Sequence, residues 1–261
     1  MATQAADPAL CGDDIAMPPA RWNFGGKVPG KFVAHARRSI PYYDDSHELI
    51  ARISDHFVSA GSTCYDLGSS TGHLLRLLAA RHPPSVRWIG IDCEPAMVRE
   101  AEAATASAGH GGGAGEPRVR LAGRDAPGGI VFVEGDIADH GYEPADLIIA
   151  YYTLQFIPPR QRQALVDRLY ASLNWGGALL LFEKVRGPDA RFQDIASALY
   201  TELKLDHGYS AEEILAKSRS LKGVLEPFST AGNLALLQRA GFVDVMTVFK
   251  YVCFEGFLAI R

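Results

Sequence analysis

Short runs of β-branched and aromatic residues alternate along this chain with segments of helical period, the pattern of a parallel sheet flanked by helices. The apolar runs predict strands at 63–67, 87–92, 130–134, 146–151, 177–183, 243–249 and 255–260. Too few residues separate the last two for a helical crossover, so they are expected to pair antiparallel. Between the strands, 71–81 carries Leu74, Leu75, Leu77 and Leu78, and 161–173 carries Leu165, Val166, Leu169 and Leu173. Each set falls on one helical stripe that can face a sheet. The stretch 189–221 has no strand signal and predicts two helices, the second opened by a Ser210-x-x-Glu213 capping box. Its place after the fifth strand suits a helical lid over a substrate. Ahead of the first strand, 22–58 contributes Tyr42 and Tyr43 and then an amphipathic segment, 46–57. No internal repeat is visible.

Composition sharpens this picture. Of the 261 residues 26 are glycine, and eight of those fall within 109–129 beside Arg118, Arg120 and Arg124, which reads as a flexible insertion. The rest, 21–261, is expected to be a single α/β domain, with 1–20 a disordered tail ending near Pro18 and Pro19. That tail has no basic region followed by an apolar stretch. A net charge of −4 argues against a general nucleic-acid or anionic-membrane binder and favours a small-molecule substrate. Cys11, Cys64, Cys93 and Cys253 form no C-x-x-C pair, so neither a zinc site nor a disulfide framework is expected, and a reduced, cytoplasmic setting fits. The longest mostly apolar run, 147–157, falls short of the roughly 20 residues a membrane helix needs.

The sharpest motif is Tyr65-Asp66-Leu67-Gly68-Ser69-Ser70-Thr71-Gly72, at the end of the first main strand. Glycines there admit a ligand close to the backbone, and the next helix offers unpaired N–H groups. Asp92, 24 residues beyond Gly68, ends the second strand, where a carboxylate can accept from both hydroxyls of a ribose. Glu134-Gly135-Asp136-Ile137 ends the third, placing Asp136 to receive an adenine amino group. A dinucleotide would call for G-x-G-x-x-G. The G-x-x-x-G spacing here fits an adenosine ligand without pyrophosphate, and S-adenosylmethionine (SAM) is the candidate.

On these residues the chain resembles the class I SAM-dependent methyltransferases. Asp66-Leu67-Gly68 with Gly72 looks like their first motif, and Asp92 like their ribose-binding acid. Their fold, a Rossmann-like, mostly parallel seven-stranded sheet with an antiparallel last strand and helices on both faces, agrees with the strands read above. Further strings are similar to the carboxy-SAM synthases: Arg38-Ser39-Ile40-Pro41-x-Tyr43, Gly90-Ile91-Asp92-x-x-Pro95-Ala96-Met97, Thr153-Leu154-Gln155-Phe156, Leu173-Asn174-x-Gly176-Gly177 and Gly208-Tyr209-Ser210. The resemblance runs from about Trp22 to Arg261. It implies cofactor contacts at Tyr43, Gly68, Ser69, Ser70, Asp92, Cys93, Asp136, Ile137 and Tyr151, with Asp66, Gly72 and Met97 in the same motifs. It also implies a homodimer. Two positions depart from the pattern. Tyr151 stands where the synthases carry Asn, and their carboxylate-gripping Lys-Arg-Ser string reads Lys217-Ser218-Arg219-Ser220, which turns the arginine by about 100° on a helix.

Methyl transfer from a sulfonium is an in-line displacement, so positioning supplies much of the catalysis. Aromatic faces attract the sulfonium charge, and Tyr43, Tyr151, Tyr152 and Trp22 are candidates to surround it. Tyr151, His207 and Glu183 are the candidate catalytic residues, His207 and Glu183 as proton acceptors. Tyr200, Tyr209 and Arg219 are candidate substrate contacts in the lid. The histidines form no short-spaced ligand pair, so no metal is expected. Lys27, Lys31, His35, Arg37 and Arg38 read as a solvated helix face or a dimer contact. The sequence therefore points to a methyltransferase acting on a small amino-acid-like or keto-acid-like metabolite in a specialised pathway. The alternatives are a carboxy-SAM synthase, which would use SAM and prephenate for later tRNA uridine modification, and a non-catalytic SAM-binding protein.

Overall fold

The computed structural model describes residues 8–109, 121–123 and 126–261. Its centre is a seven-stranded sheet whose strands bury apolar residues on both faces. A hairpin of β1 (Ala9–Leu10) and β2 (Ala16–Met17) precedes it. The sheet strands are β3 (Thr63–Leu67), β4 (Arg87–Asp92), β5 (Gly129–Glu134), β6 (Ala145–Tyr151), β7 (Leu173–Lys184), β8 (Asp244–Tyr251) and β9 (Phe254–Ile260). They lie in the order β5-β4-β3-β6-β7-β9-β8, with β9 antiparallel to both neighbours and the other four pairings parallel. All seven sheet strands thus stand where the apolar runs predict them. The largest difference is the start of β7, four residues early, where Leu173 pairs with Ala145 ahead of a register shift.

Helices cover both faces, as expected. They are α1 (Phe32–Ser39), α2 (Tyr43–Ser54), α3 (His73–Arg81), α4 (Pro95–Gly109), α5 (Pro159–Ser172), α6 (Ala190–Asp206), α7 (Ala211–Ser220) and α8 (Thr230–Ala240). One face carries Ile50 and Ala51 of α2 with Leu74, Leu75 and Leu78 of α3. The other carries Leu165, Val166 and Leu169 of α5 with Leu236 and Leu237 of α8. α2 begins three residues earlier than its amphipathic stripe suggests, because Tyr42 takes a left-handed conformation (φ 53°) that turns the chain into the helix. The predicted capping box is present: Ser210 Oγ accepts from Glu213 N–H, and the Glu213 carboxylate accepts from Ser210 N–H. Among the described residues no helix is long and apolar enough to cross a membrane.

One expectation is corrected. The described part of the 1–20 tail is folded, with Cys11, Ile15 and Met17 buried in a small cluster with Trp22, Val28 and Met97. Its backbone is tied to α7, Ala20 and Trp22 N–H donating to the carbonyls of Arg219 and Ser220. Asp13 and Asp14 pair with His35, Arg38 and Lys31. Of the basic run read as a solvated face or dimer contact, Lys31, His35 and Arg38 are thus the dock for this hairpin, while Arg37 pairs with Asp44. Two-residue strands carry no periodic signal, and the segment is held by tertiary contacts that a local pattern cannot show. The glycine-rich insertion lies mostly at 110–120 and 124–125, outside the described residues; on its far side Leu121 bridges to Ile130.

The sheet order reverses between β3 and β6, since β4 and β5 lie to one side and β7 to the other. In open α/β sheets the crevice at such a switch point, beyond the strands' carboxyl ends, is where ligands bind.

Candidate active site

β3 ends in a loop built for close approach. Gly68 has φ +71°, and a Cβ there would lie 2.6 Å from the Thr153 side chain. The Gly68 and Ser69 amides donate to Ile91 O, which locks the loop to the end of β4. Asp92 is fixed from two sides, Oδ2 accepting from Ser70 N–H (2.8 Å) and Oδ1 from Glu94 N–H (2.9 Å). Each oxygen keeps further lone-pair capacity, and the carboxylate lines the cavity. Burial pushes its pKa up against these two amides. Asp66, wholly buried at the same cavity, accepts no hydrogen bond from the described residues; burial, then the charge of Asp92, pushes its pKa up to about 7. Ser69 Oγ and Thr71 Oγ1 are buried without partners among the described residues.

Unsatisfied carboxylate and hydroxyl groups around one crevice fit a ligand bearing hydroxyls and positive charge. SAM has both: Asp92 would hold its ribose, Asp66 would face its ammonium group, and Ile91, Met97 and Ile137 offer apolar surface to the adenine. Cys93 and Asp136 stand at the exposed rim, where Asp136 Oδ1 accepts from Ala138 N–H.

The cavity, about 410 Å³, continues past this cradle among aromatic rings. Trp22, Tyr43, Tyr151 and Tyr152 all line it. Tyr43 and Tyr151 meet at 5.9 Å between ring centroids, Tyr151 and Tyr152 at 4.6 Å. The Tyr151 hydroxyl bonds Ser46 Oγ at 2.7 Å. Burial raises the pKa of all three phenols, so they stay neutral at ordinary pH and present ring faces rather than phenolate bases. His47 and His73 pack against Tyr43, and burial followed by the charge of His73 pushes His47 down to about 3.

Three lysines close the far end. Lys184 ends β7, Lys204 comes from α6 and Lys217 from α7. Lys184 Nζ lies 4.0 Å and Lys204 Nζ 4.2 Å from the centre of the Tyr200 ring, whose hydroxyl donates to Ser39 O. None of the three pairs with a carboxylate of the described residues, and burial lowers all their pKa values, that of Lys204 to about 8. Lys204 and Lys217 are further depressed by the other lysines. A buried cluster of like charges with no counter-ion is costly unless an anion joins it. Sequence reading missed this cluster, because its members are 20 and 13 residues apart on three elements.

The structure brings most of the sequence-expected residues to this cavity: Tyr43, Asp66, Gly68, Ser69, Ser70, Asp92, Cys93, Met97, Asp136, Ile137, Tyr151 and Tyr200. Five others stand elsewhere. Gly72 caps α3 with φ +68° and is pressed against Phe132, so packing accounts for it. Glu183 sits on the opposite face of β7 from Lys184, where its carboxylate accepts from Gln155 N–H and burial pushes it up to about 8. His207 caps α6, with Nδ1 bonded to Arg38 O, away from the cavity. Tyr209 is buried beneath Gly12 and bonded to Ser39 Oγ. Arg219 is exposed on the outer side of α7, while Lys217 faces in. Among the described residues no group of His, Cys, Asp and Glu converges to hold a metal ion.

The sheet order and acid-bearing strand ends are those of the class I SAM-dependent methyltransferases. A family profile described as "Methyltransferase domain" matches residues 65–179. The chain is 31% identical over 244 residues to the carboxy-S-adenosyl-L-methionine synthase of Staphylococcus epidermidis, covering 93% of this chain and 98% of that one. It is 36% identical over 244 residues to the synthase of Wolinella succinogenes, with 92% and 93% covered. Magnesium protoporphyrin IX methyltransferase from Synechocystis, solved with bound S-adenosylhomocysteine (SAH), shares the fold with a TM-score of 0.61 at 13% identity, over 91% of this chain and 96% of that one. This chain belongs to the class I SAM-dependent superfamily, on its carboxy-SAM synthase-like branch, and its cofactor is SAM.

Proposed function

We propose that this chain is an enzyme of carboxy-SAM synthesis, bringing a small carboxylate-bearing donor against the methyl group of SAM. The observation that carries this reading is the uncompensated lysine cluster in the cavity that also holds Asp66 and Asp92. Two chemistries, cation cradle and anion chamber, meet across the ring faces of Tyr43, Tyr151 and Tyr152. Bound SAM would supply a methyl group whose C–H bonds the adjacent sulfonium makes acidic; a donor such as prephenate would break the bond to its ring carboxyl group and lose hydroxide as the ring becomes aromatic, the hydroxide leaving as water with the methyl proton and the released carboxyl group forming the new C–C bond. Asp92 and Asp66 orient the cofactor, and the aromatic faces stabilise positive charge at the reacting end. Lys184, Lys204 and Lys217 hold the donor's carboxylates. α6 and α7 supply two of these lysines, together with Tyr200, in support of their role as a lid. The similarity to the carboxy-S-adenosyl-L-methionine synthases of Staphylococcus epidermidis and Wolinella succinogenes supports this reading.

A second reading, methyl transfer to an amino-acid-like or keto-acid-like acceptor, is favoured by Tyr151 and by the outward-facing Arg219. Incubation with SAM and prephenate, followed by mass spectrometry, separates the two. Carboxy-SAM is the expected product; its absence, with a methyl group found instead on an added keto acid or amino acid, sinks the first reading. For the assembly we propose a homodimer through the exposed stripe of Phe192, Ile195 and Leu199 on α6. Sedimentation of the protein would show a monomer if that is wrong.

A further inference from the structure

Lys217 does not stand alone in the anion chamber. Its Nζ donates to Ser39 Oγ at 2.7 Å and lies 2.5 Å from His35 Nε2. On the other side of that ring, His35 Nδ1 lies 2.6 Å from Asp13 Oδ2, and Asp13 Oδ1 accepts from Arg38 at 2.6 Å. The roles along this line are set by chemistry. A carboxylate can only accept, so Nδ1 carries the hydrogen; the neutral ring then offers Nε2 as an acceptor, and the amine donates to it. Burial and then the charge of Lys217 push His35 down to about 4, which keeps the ring in that neutral form. Trp22 stacks on the ring at 5.7 Å and 22°, which limits its rotation. Held protonated by an anion in the cavity, Lys217 has three N–H donors. Two are used by His35 and Ser39, so the third is left for the cavity that Lys217 lines.

We propose that Asp13, His35 and Lys217 form a carboxylate–imidazole–amine relay through which the N-terminal hairpin aims Lys217 at the anionic group of the substrate. Asp13 and His35 are positioning residues; Lys217 makes the contact. The proposal rests on the anionic-donor reading above and adds to it a part of the chain far from the cofactor motifs. It also accounts for the outward-facing Arg219, since the cation that reaches the cavity from α7 is one supported from the hairpin. Oriented groups of this kind act through their supporting contacts, and loosening the support weakens the contact without touching the ligand.

The test uses the full chain loaded with SAH, with prephenate and malonate as probe anions in calorimetry. His35→Met and Asp13→Asn are expected to weaken prephenate binding by about tenfold while SAH affinity stays at the wild-type value. Asp13→Glu, which keeps the carboxylate charge that Asp13→Asn removes, is expected to recover most of it. Nitrogen NMR of labelled histidine, with the His35 signal assigned by its loss in His35→Met, is expected to show hydrogen on Nδ1 and none on Nε2. Unchanged prephenate affinity in Asp13→Asn, or hydrogen on Nε2 in the wild type, overturns the relay alone. Failure of the wild type to bind either anion overturns the anionic-donor reading and the relay with it. Should His35→Met lose SAH binding through misfolding, the Asp13→Asn and Asp13→Glu pair decides.

Discussion

At Asp92 both oxygens are already held by backbone amides, so the side chain would meet a ribose, as proposed, without reorganising. Asp92→Ala removes a pair of charge-assisted hydrogen bonds and is expected to weaken SAM binding by about 100-fold, close to 3 kcal/mol. Calorimetry with SAM checks this, and unchanged affinity would falsify the ribose assignment. Lys204 makes a prediction about pH. Its pKa is pushed down to about 8, and an anion binds the protonated amine better. The KM for a carboxylate-bearing donor should therefore rise as pH passes above about 8, and Lys204→Gln should flatten that rise. The acids were legible in the sequence because each ends a strand, where the fold converges by construction. The lysines were not, since Lys184, Lys204 and Lys217 share no motif and meet only through tertiary packing.

Among the elements, β7 shows what alternation decides. Glu183 and Lys184 are neighbours in sequence, yet the strand sends one to the α5 side and the other to the cavity. Reading Glu183 as a proton acceptor at the cofactor edge placed it correctly along the strand but not across it. Glu183→Gln keeps an oxygen to accept from Gln155 N–H, and turnover is expected to stay near wild type in a steady-state assay. On α7, Ser210→Ala removes half of the capping box and is expected to cost about 1 kcal/mol in urea unfolding. The capping box was readable from four residues. The docking of the hairpin was not, because Asp13 and Asp14 are meaningful only opposite His35, Arg38 and Lys31.

Over the whole molecule, the buried titratable groups set opposing slopes of stability with pH. Asp66 and Glu183, raised to about 7 and about 8, hold protons in the folded state that the unfolded chain has lost above about 4.5. Their contribution falls as pH rises. His35 and His47, lowered to about 4 and about 3, exclude protons that the unfolded chain binds below 6.5, so their contribution falls as pH drops. The two pairs oppose one another between about pH 4.5 and 6.5. In a thermal melt series without cofactor, Glu183→Gln should gain stability relative to the wild type as pH rises from 6.5 to 8, because the variant has no proton to lose there. A difference between the two that does not change with pH would show that Glu183 is not a buried, raised acid. At this scale the sheet was legible almost to the residue, because strands buried on both faces advertise themselves as apolar runs.

The two halves of the cavity also differ in when the growing polypeptide can complete them. The acids and amides of the proposed SAM cradle, Asp66 through Asp136, lie within one stretch of about seventy residues and close through successive βα units. The anion chamber joins residues 182 apart at His35 and Lys217, and the hairpin's Cys11 reaches Ser220 across 209. It cannot assemble until α7 has been synthesised, so cofactor affinity is expected to emerge before substrate affinity. A chain interrupted or loosened near α7 would then hoard SAM that it has no means to use.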